Sequence, residues 1–360
     1  MAERAERVVQ RMAERELDLL LVTNLVNVRW LTGFTGSNAA AIVGARDRDD
    51  RRFITDFRYL TQAAEQVADA WEREITQEMV PRLAERLPEQ AGVRVGFDDA
   101  TMSVRDHARL AELAPEGVEL VPAGGLIEEL REVKEPQEID KIRAAARLAD
   151  EALQDVLGRG LAGRTERDVA IDIEFTMRRM GAEAPSFEPI VAAGPHGALP
   201  HAKPREVEIP PGTLVVIDWG AQVDGYASDC TRTFATGEID ERDREIYELV
   251  RLAQEEALAA VRPGPTGREV DAVAREIIAS AGHGEHFGHG LGHGVGMAVH
   301  EGPRLSQTSD GVLGAGMVVT VEPGVYVPGA VGVRIEDLVV VTAQGADVLS
   351  TLPKELQTVV

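Results

Sequence analysis

The segment Thr213-Leu-Val-Val-Ile-Asp218-Trp-Gly-Ala-Gln-Val-Asp224-Gly225-Tyr-Ala-Ser-Asp229-Cys-Thr-Arg-Thr-Phe234 constrains the fold more than any other. Residues 214–217 are continuously apolar, as expected of a buried strand. Asp224-Gly225 is a dipeptide favoured in two-residue hairpin turns. With that turn, Val223 pairs with Tyr226, and the register places Asp229 opposite Gly220. Asp218 lies two residues from Gly220 and shares its face. The two carboxylates become diagonal neighbours on one side of a sheet, with Cβ atoms roughly 7–8 Å apart or less. Gly220 is expected to leave room beside Asp229 for something to sit there. Solvated acids on an exposed hairpin would give the same spacing. The apolar run before Asp218 argues for burial, and two facing buried aspartates need a counter-charge.

Three further segments carry candidate chemistry. In His289-Gly-Leu-Gly-His293-Gly-Val-Gly-Met-Ala-Val-His300-Glu301, three histidines share a stretch with four glycines. The glycines argue against a helix and are expected to let backbone approach a ligand or metal. Val318-Val-Thr-Val-Glu322-Pro-Gly324 reads as a strand ending in a carboxylate. Val333-Arg334-Ile-Glu336-Asp337-Leu-Val-Val-Val341 reads as a strand whose alternation puts Arg334 and Glu336 on one face. Arg334 is then a candidate ion-pair partner for Glu336. Together, Asp218, Asp229, His293, Glu322 and Glu336 offer four carboxylates and one imidazole. That set can neutralise two divalent cations, with room for a bridging hydroxide. Oxygen-rich ligation favours manganese or cobalt over a single structural zinc. Two such ions about 3.5–4 Å apart would polarise a carbonyl and deprotonate a shared water, which is the chemistry of amide hydrolysis.

The rest of the chain supplies context. Residues 5–21 carry helical periodicity in Val8, Val9, Met12, Leu17 and Leu20, and 19–23 read as a buried strand. Residues 28–37 read as a glycine-punctuated loop, followed by strands at 39–43 and 52–56. Helical stretches at 59–70, 79–87 and 104–113 make this an α/β domain that ends near 123–125. Residues 126–157 read as a long helical stretch interrupted at Pro136, with Glu135 and Glu138 suited to a helix start. The expected domains are 1–126, a linker and helix start at 127–137, and a catalytic domain at 138–360. Seven of the eight histidines fall between His196 and His300. His196 reads as a loop residue beside the site, and His283 and His286 have no evident role.

A net charge of −23 argues against a nucleic-acid or anionic-membrane partner. One cysteine, Cys230, rules out an internal disulfide and reads as packing. No apolar run reaches the roughly 18–20 residues of a membrane span, and the charged start lacks a signal-peptide apolar region, so a cytoplasmic location is expected.

On these motifs the chain resembles the metal-dependent pita-bread peptidases: Xaa-Pro aminopeptidase (aminopeptidase P), Xaa-Pro dipeptidase (prolidase) and, more distantly, methionine aminopeptidase. Val28–Ser37 and Thr55-Asp-Phe-Arg-Tyr59 are similar to a creatinase-type N-terminal domain. Leu130-Arg-Glu-Val-Lys-Glu-Pro-Gln-Glu-Ile-Asp140 is similar to the family's entry into its catalytic domain. The resemblance implies a mixed α/β (α+β) fold, with a creatinase-like N-terminal α/β domain and a C-terminal pita-bread catalytic domain. It implies Asp218 on one metal, His293 and Glu322 on the other, and Asp229 and Glu336 bridging. The metals would be two divalent ions per subunit, manganese first, with cobalt or zinc as alternatives. His201, His289 and His300 would meet the substrate, Arg334 would lie near the bridging glutamate, and Glu322 would act as general base or proton shuttle. The implied activity is removal of the N-terminal residue from peptides with proline second, an aminopeptidase P reaction. The alternative is a prolidase restricted to dipeptides. A homodimer is also implied. Creatinase-like enzymes are disfavoured because all five ligands are present, and methionine aminopeptidases because they usually lack the N-terminal domain.

Overall fold

The apolar run at 19–22 becomes a central strand of a six-stranded sheet. This computed structural model describes residues 2–45 and 51–360, and the chain divides into two units, Met1–Leu130 and Arg131–Val360. In the first unit the strands are β1 (Leu19–Val22), β2 (Ala39–Gly44), β3 (Arg51–Thr55), β4 (Glu72–Ile75), β5 (Arg94–Phe97) and β6 (Glu119–Pro122). Their order is β4-β3-β2-β1-β5-β6. The β1–β2 and β2–β3 pairs are antiparallel, and the other three are parallel. The helices are α1 (Ala2–Glu14), α2 (Leu25–Thr32), α3 (Leu60–Gln66), α4 (Met79–Ala84) and α5 (Val104–Leu113), and α6 (Leu126–Glu132) carries the chain across the division at Leu130. Leu19, Leu21, Ala40, Ile42, Val95 and Phe97 pack with Leu83 and Leu110 from α4 and α5 into one core.

Two expectations fail in this unit for local reasons. The first helix stops at Glu14, and Glu16 takes a φ of 55°, so Leu17 and Leu20 lie outside it. The expected loop at 28–37 contains most of α2. Asn24 caps that helix by accepting from the Val26 N–H, and Gly33 closes it in the left-handed region. Gly33 is thus a helix stop, not loop punctuation.

The second unit begins with α7 (Pro136–Leu157). Pro136 stands in its first turn, and Glu135 and Glu138 form a reciprocal capping box. Next come α8 (Glu166–Arg179) and the strands β7 (Ala184–Pro185), β8 (Ile190–Ala193), β9 (Leu214–Trp219), β10 (Ala221–Val223), β11 (Tyr226–Ala227) and β12 (Cys230–Ala235). Strands β12-β9-β8 form one antiparallel sheet and β11-β10-β7 a smaller one. Helices α9 (Glu241–Ala260) and α10 (Gly267–Ser280) precede β13 (Gly292–Gly294), β14 (Glu301–Leu305), β15 (Val318–Val321), β16 (Gly324–Val327), β17 (Val331–Arg334), β18 (Asp337–Thr342) and β19 (Gly345–Val348). A five-stranded sheet runs β14-β13-β15-β18-β19, and β16 pairs with β17. Each helix pair buries its apolar stripe on one sheet. Leu153, Val169 and Ile173 meet Ile217 and Trp219, while Tyr247, Val250 and Val270 meet Val319 and Val339. No helix among the described residues is long and apolar enough to cross a membrane.

The expected single strand at 333–341 is two strands in different sheets. Arg334 ends β17, and β18 begins at Asp337. Glu336 sits in the break, which brings it to the Thr231 carbonyl through its own N–H at 3.0 Å.

Candidate metal centre

The hairpin register derived from Asp224-Gly225 holds. Asp224 and Gly225 have φ of 48° and 79°, as a two-residue turn of this kind requires. Val223 pairs with Tyr226, Cys230 with Trp219 and Thr231 with Asp218, all in one register. Ligand atoms of Asp218, Asp229 and Glu336 consequently lie within 4.8 Å of one another. The space at Gly220 is not left for a ligand, however. A Cβ there would strike the Ser228 carbonyl, so the glycine permits a close backbone approach. Gly294 works similarly: a Cβ would meet the Gly302 carbonyl, so this glycine admits a neighbouring segment and not a metal.

A second group shares Asp229. Ligand atoms of Asp229, His293 and His300 also lie within 4.8 Å of one another. His293 Nδ1 faces the Gly294 carbonyl at 3.1 Å. A carbonyl only accepts, so Nδ1 carries the proton. Nε2 then faces Asp229 Oδ2 at 3.5 Å and Glu322 Oε1 at 3.3 Å. Two anions around that nitrogen call for positive charge between them, a proton or a cation. The rings of His293 and His300 stand 4.3 Å apart, edge to face. Glu322 follows β15 and accepts from Thr320 Oγ1 at 3.0 Å.

The electrostatics follow from crowding acids out of water. Burial, then the charges of Glu336 and Asp218, push the Asp229 carboxyl well above its ordinary range. Burial, then Glu322 and Asp218, do the same to Glu336. Burial raises Asp218 against the opposing charge of Arg334. At Glu322 burial also acts upward, but the hydrogen bond and charge of His293 outweigh it. Asp218 Oδ1 and Glu336 Oε1 are buried without a hydrogen-bond partner. Buried carboxylate oxygens that converge and lack donors suit divalent cations, and the donor set is the hard, oxygen-rich kind.

Arg334 does not serve Glu336 as expected. Its Nη2 donates to Asp218 Oδ2 at 2.7 Å, its Nη1 to the Tyr326 hydroxyl at 2.9 Å and its Nε to Thr231 Oγ1 at 2.9 Å. The break at 335–336 turns Glu336 away from it, and Glu336 Oε2 instead accepts from Thr231 Oγ1 at 2.7 Å. His289 donates through Nδ1 to the Gly290 carbonyl at 2.8 Å and accepts at Nε2 from Tyr326 at 2.9 Å. Burial lowers its pKa and favours this neutral form. His201 is exposed on the pocket wall. His196 does not line the pocket; its Nδ1 lies 2.9 Å from Glu166 Oε2, and Glu166 also holds the Ala193 N–H. Cys230 is buried in the α7–α8 core.

Sequence reasoning missed Thr231, Thr320 and Tyr326. Thr231 and Thr320 each lie two residues from a named acid, so strand alternation could have found them. The pocket encloses about 610 Å³. His201, Asp218, Asp229, His289, His293, His300, Glu322 and Arg334 line it, with Phe187, Ile190, Pro200 and Pro204 as apolar wall and Lys203 and Arg304 as exposed cations.

Comparison with known proteins matches both parts of the chain to described families. Residues 140–343 match metallopeptidase family M24, and residues 4–133 match the creatinase/prolidase N-terminal domain. An Xaa-Pro dipeptidase of Pyrococcus furiosus is 37% identical over 356 residues, covering 99% of this chain and 100% of that protein. The structure of an Xaa-Pro dipeptidase from Bacillus anthracis is similar with a TM-score of 0.93 and 39% identity, over 99% of both chains. That of an X-Pro aminopeptidase from Thermotoga maritima gives 0.87 and 34%, over 96% of this chain and 99% of the other. With the carboxylate and histidine cluster in place and both domains matched, the chain belongs to metallopeptidase family M24, a hydrolase with a creatinase-type N-terminal domain and a pita-bread catalytic domain.

Proposed function

We propose that this chain hydrolyses the Xaa-Pro bond of dipeptides, as a prolidase. The observation that carries the reading is the pocket itself: one wall of acids and imidazoles, an apolar wall, and Lys203 and Arg304 with no ion-pair partner among the described residues. A dipeptide ending in proline presents a flat apolar ring and a free carboxylate close to the scissile carbonyl. Apolar side chains suit the ring, and the two cations suit the carboxylate. The relatives named Xaa-Pro dipeptidase point the same way.

The second reading is an Xaa-Pro aminopeptidase acting on longer peptides, favoured by the likeness to the Thermotoga maritima enzyme.

In either reading Asp218, Asp229, His293, Glu322 and Glu336 would hold two divalent cations, with His300 beside them. Those ions would polarise the scissile carbonyl and acidify the attacking water. Glu322 would take the water's proton and return it to the departing proline nitrogen, which as a tertiary amide has no hydrogen of its own. His289, held neutral between the Gly290 carbonyl and the Tyr326 hydroxyl, would position the substrate, and His201 and His300 would donate to the oxygen that gains charge. Arg334 would keep Asp218 ionised and oriented. A homodimer belongs to the same proposal, and sedimentation at twice the monomer mass would support it.

The test uses metal-stripped protein reloaded with manganese, cobalt or zinc, and follows amino-acid release from Ala-Pro and Ala-Pro-Ala. Cleavage of Ala-Pro alone supports the prolidase reading. Release of alanine from Ala-Pro-Ala transfers support to the aminopeptidase. No cleavage with any metal refutes both.

A further inference from the structure

His283 and His286 lie outside the centre described above and flank a single 3-10 turn after α10. The His286 N–H donates to the His283 carbonyl at 2.9 Å, which fixes the two residues one turn apart. Their Nδ1 atoms lie 3.1 Å from each other, with ring centroids 5.2 Å apart. Neither ring has another hydrogen-bond partner among the described residues. Both are half-buried, so water reaches them.

We propose that this pair is a further metal site, taking one borderline transition ion of the zinc, nickel or copper class. Two metal–nitrogen bonds of about 2.05 Å across that separation subtend about 98°, near the angles of tetrahedral and square-planar sites. The hydrogen-bonded pair points its lone pairs along the line between the two nitrogens, so chelation needs the shared proton to leave and each ring to tilt, to about 40° off that line. Nitrogen ligands select against manganese, magnesium and calcium, so the pair and the carboxylate-rich centre differ in the ions that they prefer. The remaining coordination positions face water. A chain with net charge −23 concentrates cations near such a site. The turn leads through Phe287, whose ring meets that of His289 at 5.1 Å, so an ion here braces the start of the segment that carries His289.

The experiment compares manganese-loaded wild-type enzyme with a manganese-loaded His283→Gln/His286→Gln variant. Zinc uptake is measured by equilibrium dialysis, and the imidazole resonances are followed by NMR. Zinc that displaces manganese raises uptake equally in both chains, so the difference between them reads the pair. Wild type is expected to bind one more zinc per chain, with the His283 and His286 resonances shifting together and peptidase activity of the manganese form equal in the two. An Asp229→Asn chain should lose the carboxylate centre and keep this zinc. Equal zinc uptake by wild type and the double variant overturns the proposal. So does zinc that leaves both resonances unmoved.

Discussion

At the residue scale, Asp218 and Glu322 were legible because each stands where an apolar run ends, Asp229 through the hairpin register and Glu336 through strand alternation. Asp218 and Glu322 interrupt or end strands whose other residues are buried. The hydrogen bonds that aim them were legible only in part: alternation puts Thr231 and Thr320 on the face of an acid two residues away, but a threonine on a strand is ordinary β-sheet composition and does not stand out. Thr231 is the clearest case. Its single hydroxyl donates to Glu336 and accepts from Arg334, and all three side chains are buried. Thr231→Val keeps the shape and removes both bonds. Glu336 Oε2 and Arg334 Nε would then be buried without partners, a cost of about 1–3 kcal/mol. Because Glu336 would also lose its orientation, metal affinity should fall ~10–100-fold. Calorimetric metal titration of the variant checks this. Wild-type affinity would show that Thr231 packs but does not orient.

At the element scale, the β10–β11 turn was readable from two residues, since Asp-Gly sets its own backbone and the register follows arithmetically. Elements whose signals lie in distant contacts were not readable. β4 reads Glu-Arg-Glu-Ile and is mostly exposed at a sheet edge, so it has no apolar alternation to find. α2 was hidden because Gly33 resembles a loop marker until the helix before it is known. Gly220 gives the element-scale prediction. It links β9 to β10, and a Cβ at this position collides with the Ser228 backbone, which cannot swing aside as a flexible side chain would. Gly220→Ala should push the Asp229 arm away from the Asp218 arm and separate the paired carboxylates. The expected variant is folded but destabilised by about 1–3 kcal/mol, as for overpacked sites, and weak in metal binding. Urea unfolding and metal titration measure the two effects. A variant with wild-type stability would mean that the hairpin shifts freely, against the close approach seen here.

At the scale of the whole molecule, the two units were legible as a change of text, from short strands and helices to glycine and histidine-rich hairpins. That the centre draws on both the β12-β9-β8 sheet and the five-stranded sheet was not, because sheet membership depends on pairings far apart in sequence. Asp218 lies on β9 and Asp229 just before β12, while His293 lies on β13 and Glu322 and Glu336 beside β15 and β18. Two cations held by these residues would tie the β12-β9-β8 sheet to the five-stranded sheet, and would offset carboxylates that burial pushes toward protonation. They bind only the folded form, since the ligands are scattered in the unfolded chain. Folding stability should therefore rise with free manganese, by about 2.7 kcal/mol at a hundredfold excess over Kd. For a unit of this size that is a melting shift of roughly 5–11 °C at ~2–4 °C per kcal/mol. Scanning calorimetry of chelator-treated and manganese-restored protein checks the shift, with hydrogen exchange expected to slow most in β12, β13 and β18. Asp229→Asn, which removes the carboxylate common to both ligand groups, should abolish the response. A chelated wild type that melts with the manganese form would show that cations contribute nothing to joining the sheets, and the crowded acids would then need another source of positive charge.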